Sequence, residues 1–493
     1  MRLTELLSSL RETAEITGFS GDLEINGIAY DSRRVEPGYL FVAIPGSRQD
    51  GHDHIPQALL RGAAALVTER LPQGVPDGVC VILTKDSRRA MAVLSSVWWG
   101  RPDLKMRLVG VTGTNGKTTT SKLIKWLWES GGAKSGIIGT INNMAGGKVI
   151  PSTHTTPESF ELFELLAMMG NEGCKNVVME VSSHALKQGR VDACHFDGAV
   201  FTNLTQDHLD YHAGFGDYLE SKLRLFGMIL PENGKNKYCV VNIDDPLAER
   251  FAQACRVDLW TYGAGEGASL LLKDCQIAAC GTVFDFCHAG KTYRAESPLV
   301  GKFNVYNTLA AMAVGLAEGL DVNGMIEAVR YSPQVPGRFQ RVDEGQDFSV
   351  IVDYAHTPDG LLNVLATLRG LNPRRVIAVF GCGGDRDSGK RPLMGRIAGQ
   401  YADFCVATSD NPRTEDPIAI MLQIEEGLKQ ASKDYALEAD RREAISLAIG
   451  MAGPGDVVVI AGKGHEDYQI IGTERLRFDD AEVAGEILSA RLR

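Results

Sequence analysis

The chain has 493 residues, room for about three domains of ordinary size, and its 44% hydrophobic and 23% charged composition excludes a disordered or fibrous chain. Its 51 Lys and Arg face 62 Asp and Glu, a net charge of −11, which argues against nucleic acid or an anionic membrane as a partner while leaving room for one basic pocket. No apolar run approaches the ~18 residues of a spanning helix, and charges break the start, MRLTELLSSLRETAEI, where a signal peptide needs an apolar core; a cytoplasmic protein is expected.

In chain order, residues 1–102 read as a small α/β domain. It comprises a helix over Leu3–Arg11, apolar runs at Tyr39–Ile44, Ala64–Thr68 and Val79–Leu83, and a helix through Ala90–Trp99. Trp99-Gly-Arg-Pro102 ends it, because proline disfavours helix in its predecessor and lacks a donor. From Arg107 the runs LVGVTG, VVMEVSS, AVFTNL and YCVVNID alternate with helical segments, the pattern of a parallel sheet with helical crossovers. A β-rich stretch, Ser269–Ala295, and a helix, Val305–Glu318, complete a central domain of residues 103–335. The proline pair in Pro333-Gln-Val-Pro336-Gly337-Arg338 marks a second linker. Residues 336–493 carry VIVDYAH, VIAVFGCGG, FCVATSDNP and VVVIAGKG, four apolar strands ending in polar or glycine residues, which predicts a second doubly wound sheet. The ten cysteines lie apart with no C-x-x-C pair, suggesting buried reduced thiols rather than a zinc or disulfide framework.

Val111-Thr-Gly113-Thr114-Asn115-Gly116-Lys117-Thr118-Thr119-Thr120 follows a strand and opens a helix. There, glycines let backbone N–H groups wrap a phosphate at the helix N-terminus. Lys117 would reach the outer phosphates and Thr118 a magnesium ion, although the usual glycine spacing is off by one, with Val at 111 and Gly at 110. Glu180 ends the run Val177–Met179, at the sheet edge where a phosphate-bound cation wants an oxygen ligand. Asn203-Leu-Thr-Gln-Asp207-His208-Leu-Asp210-Tyr211-His212 ends another run with several ligand-type residues. A capped turn for the loop and a solvated strand end for Glu180 stay open at this point. Spacing alone makes Lys222, in an amphipathic helix, a surface lysine.

These residues together resemble the Mur ligases of peptidoglycan synthesis, and among them the MurE branch. The resemblance covers nearly the whole chain. Besides the phosphate loop it rests on Asp31-Ser-Arg33, Gly51-His-Asp-His54, His154-Thr-Thr-Pro157, Glu180-Val-Ser-Ser-His184, residues 203–212, Lys222, Gly301-Lys-Phe-Asn304-Val-Tyr-Asn307, Pro336-Gly-Arg338, Asp353-Tyr-Ala-His356, Gly384-Asp-Arg386, Asp410-Asn-Pro-Arg413 and Gly462-Lys-Gly-His-Glu466. The family shares the irregular phosphate loop.

The resemblance implies an ATP-dependent amide ligation on UDP-MurNAc-L-Ala-D-Glu through an acyl phosphate. It implies that Gly113 to Thr119, Asn307, Arg338 and Asp353 bind ATP. Thr118 and Glu180 serve one Mg2+, and His208 and Lys222 the other, with Lys222 carbamylated by CO2 because an ammonium cannot ligate a cation. Lys117, Glu180, His208, Lys222 and Arg338 form the catalytic set. Tyr30, Ser32, Ser47, Arg48 and Gln49 of the first domain would hold the UDP-sugar peptide, with His154, Thr155, Thr156, Ser182, Gln188 and Arg190 at its peptide end. In the family the D-N-P-R tetrapeptide goes with meso-diaminopimelate. Arg386 and Arg413 would pair with its distal carboxylate, Glu466 would take its far ammonium, and Asp410, Asn411, Pro412 and Gly462 would frame the pocket. A monomer is expected. L-lysine as the added amino acid, a folylpolyglutamate- or cyanophycin-synthetase-like ligase, and a nucleotide-binding switch remain alternatives.

Overall fold

The structure, a computed structural model, describes the chain except residues 11–13, 18–21, 47–48, 208–210, 233–235, 279, 432–433 and 492–493. The chain is α/β throughout, and its described strands fall into three principal sheets and one hairpin. The first sheet runs in the order Ala14–Thr17, Cys80–Thr84, Ala65–Thr68, Tyr39–Val42, Gly27–Ala29, with Ala14–Thr17 antiparallel and the rest parallel. The expected first helix is shorter than its apolar pattern: the α-helix is Leu3–Leu6, followed by a 3-10 turn, Leu7–Ser9. Ser8 Oγ donates to Glu5 O at 2.7 Å, and such local side-chain bonds compete with helix propagation.

The central sheet has a parallel heart in the order Asp258–Gly263, Tyr238–Asn242, Gly198–Phe201, Arg107–Thr112, Asn176–Glu180, Ser135–Ile138. The β-rich stretch after residue 269 extends one edge as an antiparallel meander. The strands are apolar on both sides because helices cover both. Leu123, Ile124, Leu309 and Val314 pack with Val109 and Val178 on one face, and Leu162, Leu166, Leu225 and Phe226 pack with Leu108 and Val177 on the other. Side chains alternate across a strand, so consecutive residues serve opposite cores. Arg107–Thr112 has a parallel neighbour on either side, the position at which crossovers diverge and leave a crevice at the carboxyl edge.

The last sheet runs Gln340–Val342, Ser349–Asp353, Val457–Ala461, Val376–Phe380, Phe404–Thr408, Tyr435–Glu438, parallel except for its first strand. It includes all four predicted strands, and apolar clusters cover both of its faces. Polar contacts join the sheets: Asn115 Nδ2 donates to Asp359 Oδ2 at 3.2 Å and Tyr30 Oη to Glu161 Oε1 at 2.9 Å. All ten cysteines are free thiols. Among the described residues no helix is long and apolar enough to cross a membrane.

Candidate active site

The loop after Arg107–Thr112 turns on two glycines, Gly113 at φ 148° and Gly116 at φ 85°, conformations that side chains disfavour. A Cβ on Gly113 would overlap Thr202 Oγ1, and one on Gly116 would overlap Asn307 Oδ1. Asn203 braces the loop from the neighbouring strand, its carbonyl accepting from Thr114 N at 2.8 Å and its Oδ1 from Asn115 N at 3.0 Å. The helix Lys117–Ser130 begins at Gly116 with no side-chain cap, so its first-turn N–H groups suit an anion. Lys117 Nζ arches back to Gly113 O at 2.9 Å and Thr114 O at 2.8 Å. Burial lowers its pKa, and Glu180 and Asp207 oppose that. Asn307 lies beneath the first helical turn, accepting from Thr120 Oγ1 at 3.3 Å and donating to Asn304 Oδ1 at 3.1 Å.

Glu180 is only 1% exposed, so it is not a solvated strand end. Its Oε2 accepts from Thr118 Oγ1 and Thr140 Oγ1, both at 2.9 Å, and its Oε1 accepts from Thr140 N at 3.0 Å. A buried carboxylate beside a hydroxyl at the mouth of an anion-binding loop is a donor set that fits a hard divalent cation. Sequence reasoning did not single out Thr140, a lone polar residue after an apolar run. Its role became visible only from the pairing of Ser135–Ile138 with Asn176–Glu180.

The surface reading of Lys222 from spacing is wrong. The residue is 1% exposed, and its Nζ donates to Gly113 O at 2.7 Å and lies 4.7 Å over the Tyr218 ring. Tyr218, Lys222 and Phe226 recur every four residues in the helix Phe215–Gly227 and therefore share its inward face. Burial, then Lys117, drives the Lys222 pKa well down, with Asp207 opposing. His208 lies outside the described residues. His212 is a buried strut, its Nδ1 3.2 Å from Asp217 Oδ2 and its Nε2 3.0 Å from Ser183 Oγ.

The residues expected at the peptide end converge on the same edge. Thr156 Oγ1 donates to Glu180 O at 2.9 Å and accepts from Ser182 N at 3.0 Å. Thr155 Oγ1 is 3.0 Å from Thr140 Oγ1. Arg190 donates to Thr156 O at 2.8 Å, to Gln188 Oε1 at 2.9 Å and to Glu158 at 2.9 Å, and Gln188 Nε2 donates to Tyr211 Oη at 3.0 Å. His154 is exposed beside them. In the first domain, Tyr30 meets Glu161 at the seam with the central domain. Ser32 is buried, donating to Gln57 Oε1 at 2.7 Å, and Gln49 is exposed. Ser47 and Arg48 lie outside the described residues.

From the last domain, Asp353 accepts from Phe339 N at 2.6 Å and Ala355 N at 2.9 Å. Burial pushes its pKa up and Arg338 pulls it down. The Arg338 guanidinium lies 4.6 Å over the Tyr354 ring, and its buried Nε has no partner among the described residues, a donor suited to a bound anion. Its charge is felt at Lys117, and at His465, whose pKa burial and then Arg338 lower to about 3.

Beyond Phe404–Thr408 the chain runs into Asp410-Asn411-Pro412-Arg413. Arg413 takes φ 52°, donates its N–H to Ile470 O at 3.1 Å, and extends Nη1 to Gly384 O at 2.7 Å. A Cβ on Gly383 would stand 2.9 Å from Arg413 Nη1 and 3.8 Å from Arg386 Cγ, so both arginines flank that bare backbone, with Arg386 exposed. Asp410 and Asn411 are buried, and a Cβ on Gly462 would lie 2.7 Å from Asp410 Oδ2. Glu466 Oε2 accepts from Asn411 Nδ2 at 2.8 Å and from Lys463 Nζ at 3.3 Å. Burial pushes the Glu466 pKa up and Lys463 draws it down. Asp410, Asn411, Arg413, Gly462 and Glu466 thus form one cluster, and Tyr354, in ring contact with His465, connects it to Arg338, whose charge reaches Lys117. Asn203 and Lys463 were not singled out individually, although both stand inside motifs read from the sequence.

Three family models match the chain: the Mur ligase family catalytic domain over residues 24–96, the Mur ligase middle domain over 111–315, and the Mur ligase glutamate ligase domain over 337–464. The chain is 48% identical over 495 residues to a protein of Syntrophomonas wolfei named UDP-N-acetylmuramoyl-L-alanyl-D-glutamate--2,6-diaminopimelate ligase, covering 100% of both. It is 46% identical over 498 residues to a Geobacillus kaustophilus protein of the same name, again covering 100% of both. A solved structure of that name superposes with TM-score 0.69 at 35% identity, covering 95% of this chain and 96% of the other. The Mycobacterium tuberculosis folylpolyglutamate synthase, at 18% identity and TM-score 0.62 over 76% of this chain and 93% of its own, shares the fold.

Proposed function

The chain belongs to the Mur ligase family, and from that premise we propose that it is an ATP-dependent ligase adding meso-diaminopimelate to UDP-MurNAc-L-Ala-D-Glu. The observation that carries this reading is the pairing of a glycine loop at an uncapped helix N-terminus and buried Glu180 with Arg386 and Arg413 beside the bare backbone of Gly383, in a chain 48% identical to a protein named for that reaction. The γ-phosphoryl group of ATP passes to the terminal D-glutamate carboxylate, giving an acyl phosphate. The diaminopimelate amine then attacks that carbon, an amide bond forms, and inorganic phosphate leaves.

Each group has work suited to its surroundings. The loop N–H groups and Lys117 orient the phosphates, and Arg338, whose Nε has no partner among the described residues, meets the terminal one, so transfer is mostly positioning and charge neutralisation. Asp353 binds the ribose and Asn307 supports the nucleotide side. Thr118 and Glu180 hold one Mg2+, and His208 with a carbamylated Lys222 hold a second; when bound, the ions neutralise the charge that two approaching anions bring together. Carbamylation suits Lys222 because only a neutral amine attacks CO2, losing a proton as the N–C bond forms, and burial favours that neutral form. Residues 1–102 with Thr155, Thr156, Ser182, Gln188 and Arg190 hold the UDP-sugar peptide, residues 103–335 the nucleotide, and residues 336–493 the amino acid. Two arginines beside one backbone disfavour lysine, which lacks the distal carboxylate. The enzyme works as a cytoplasmic monomer.

The test mixes ATP, Mg2+, UDP-MurNAc-L-Ala-D-Glu and either meso-diaminopimelate or L-lysine, then weighs the UDP product. ADP release dependent on all components, with the diaminopimelate adduct dominant, is expected. ATP hydrolysis indifferent to the UDP substrate would refute the ligase reading, and a dominant lysine adduct would refute the assigned amino acid.

A further inference from the structure

We propose that Lys463 is a positioning residue for the amino-acid substrate, a buried cation that keeps Glu466 ionised and aimed at the ammonium on the far end of a diamino acid. The inference rests on the reaction proposed above and concerns a residue not assigned there. Lys463 is 0% exposed, and a buried ammonium is costly unless charge and hydrogen bonds compensate it. Its Nζ lies 3.3 Å from Glu466 Oε2, 3.2 Å from Asn411 Oδ1, 3.9 Å from Asp410 Oδ1 and 5.4 Å from the Tyr468 ring centroid.

Service to the fold alone would call for a sealed ion pair, as in Arg441–Asp480, where both side chains are 0% exposed. The Lys463–Glu466 pair is built differently. Lys463 and Asn411 both engage Glu466 Oε2, while Oε1 has no protein partner among the described residues and the side chain stays 17% exposed. One oxygen is anchored and the other is left for a ligand donor. Asn411 extends the arrangement towards the arginines, since its Oδ1 also accepts from Ile470 N at 2.9 Å and its carbonyl lies 3.5 Å from Arg413 Nη1. Asn411 thereby touches both the Glu466 carboxylate and the Arg413 guanidinium, the charge pattern that matches a zwitterionic α-amino acid terminus.

The groups facing Glu466 come from five elements. Burial and Asp410 favour its protonated form, while Lys463 and Asn411 favour the carboxylate. Tyr354, Tyr468 and Arg441 also feel its charge. Lys463 is the cation in hydrogen-bond contact with it, and an opposite charge at that distance lowers a carboxyl pKa by about 1–3 units.

The experiment measures kcat/KM for meso-diaminopimelate against pH in the full-length enzyme, wild type and Lys463→Met, with saturating ATP and UDP-muramyl dipeptide. The acid limb is expected to move up by about 1–3 pH units in the variant, with KM for ATP unchanged, and Lys463→Arg should restore it. With 2-aminopimelate, which keeps the distal carboxylate but lacks the far ammonium, the variant and wild-type limbs should coincide. Should Lys463→Met fail to fold, Lys463→Gln keeps a donor without the charge and carries the same measurement. An unmoved limb in the neutral variant, or the same shift with both substrates, overturns the proposal. Failure of the underlying reaction shows separately, as wild-type enzyme inactive with meso-diaminopimelate.

Discussion

Replacing Arg413 by alanine separates recognition of the amino acid from the chemistry that follows. The side chain is half-buried; Nη1 is held by Gly384 O at 2.7 Å, and Nε and Nη2 make no hydrogen bond to described residues. The Gly384 contact is made whichever amino acid arrives, so its loss lowers activity with all of them alike. The remaining donors are those that can pair with a distal carboxylate. Loss of such a charge-assisted contact from a desolvated pocket costs about 2–5 kcal/mol, roughly 30- to several-thousand-fold in kcat/KM. Arg413→Ala should therefore raise KM for meso-diaminopimelate steeply and leave KM for ATP and for the UDP-muramyl dipeptide nearly unchanged. Lysine has no distal carboxylate, so the weak activity with it should fall far less and the preference ratio should shrink. Arg413→Lys keeps the charge but not the fork and should fall between the two. The backbone offers a further control: at φ 52° glycine is less strained than alanine, so Arg413→Gly should match the selectivity loss of Arg413→Ala without a lower melting temperature. Steady-state kinetics with both amino acids decides the matter. Equal losses for diaminopimelate and lysine would mean that Arg413 supports the Gly384 loop rather than the substrate, and the amino-acid assignment would lose its main support.

Three other substitutions probe the remaining parts. Lys222→Ala should be nearly inactive and partly rescued by a small carboxylate such as formate or acetate, and the wild type should lose activity when CO2 is stripped from the buffer; full activity in the mutant would remove the residue from the mechanism. Gly116→Ala brings a methyl group onto Asn307 Oδ1 at a left-handed position and should weaken ATP binding, read by calorimetry, by at least about tenfold, equivalent to ~1.4 kcal/mol; unchanged affinity would contradict the close approach of that loop to phosphate. Asp480→Ala leaves the Arg441 guanidinium buried without the carboxylate that meets it twice at 2.7 Å. It should destabilise the last domain by about 3–5 kcal/mol in chemical denaturation, and a loss under ~1 kcal/mol would show that water or another group compensates.

Much of this protein was legible from local pattern. Apolar runs flanked by glycine and polar residues announced the parallel strands, because a strand covered on both faces must be apolar throughout. The strand, glycine turn and helix around Lys117 and Thr118 could be read from order alone, since they lie within a few residues of one another. Motif order carried the family resemblance across the whole chain. Tertiary structure decided what depends on residues far apart in sequence. Glu180 became a buried ligand-type carboxylate only when the pairing of its strand with Ser135–Ile138 brought Thr140 against it. Lys222 sits on an amphipathic helix where its type predicts solvent, yet the inward face of that helix carries its amine to Gly113 O. Lys463 and Glu466 are three residues apart, but the ion pair acquires its direction from Asn411, which arrives from the loop after Phe404–Thr408. Sequence spacing fixes which side chains share a face of one element; which element that face meets is settled by packing, and the chemistry of this site arises at those meetings.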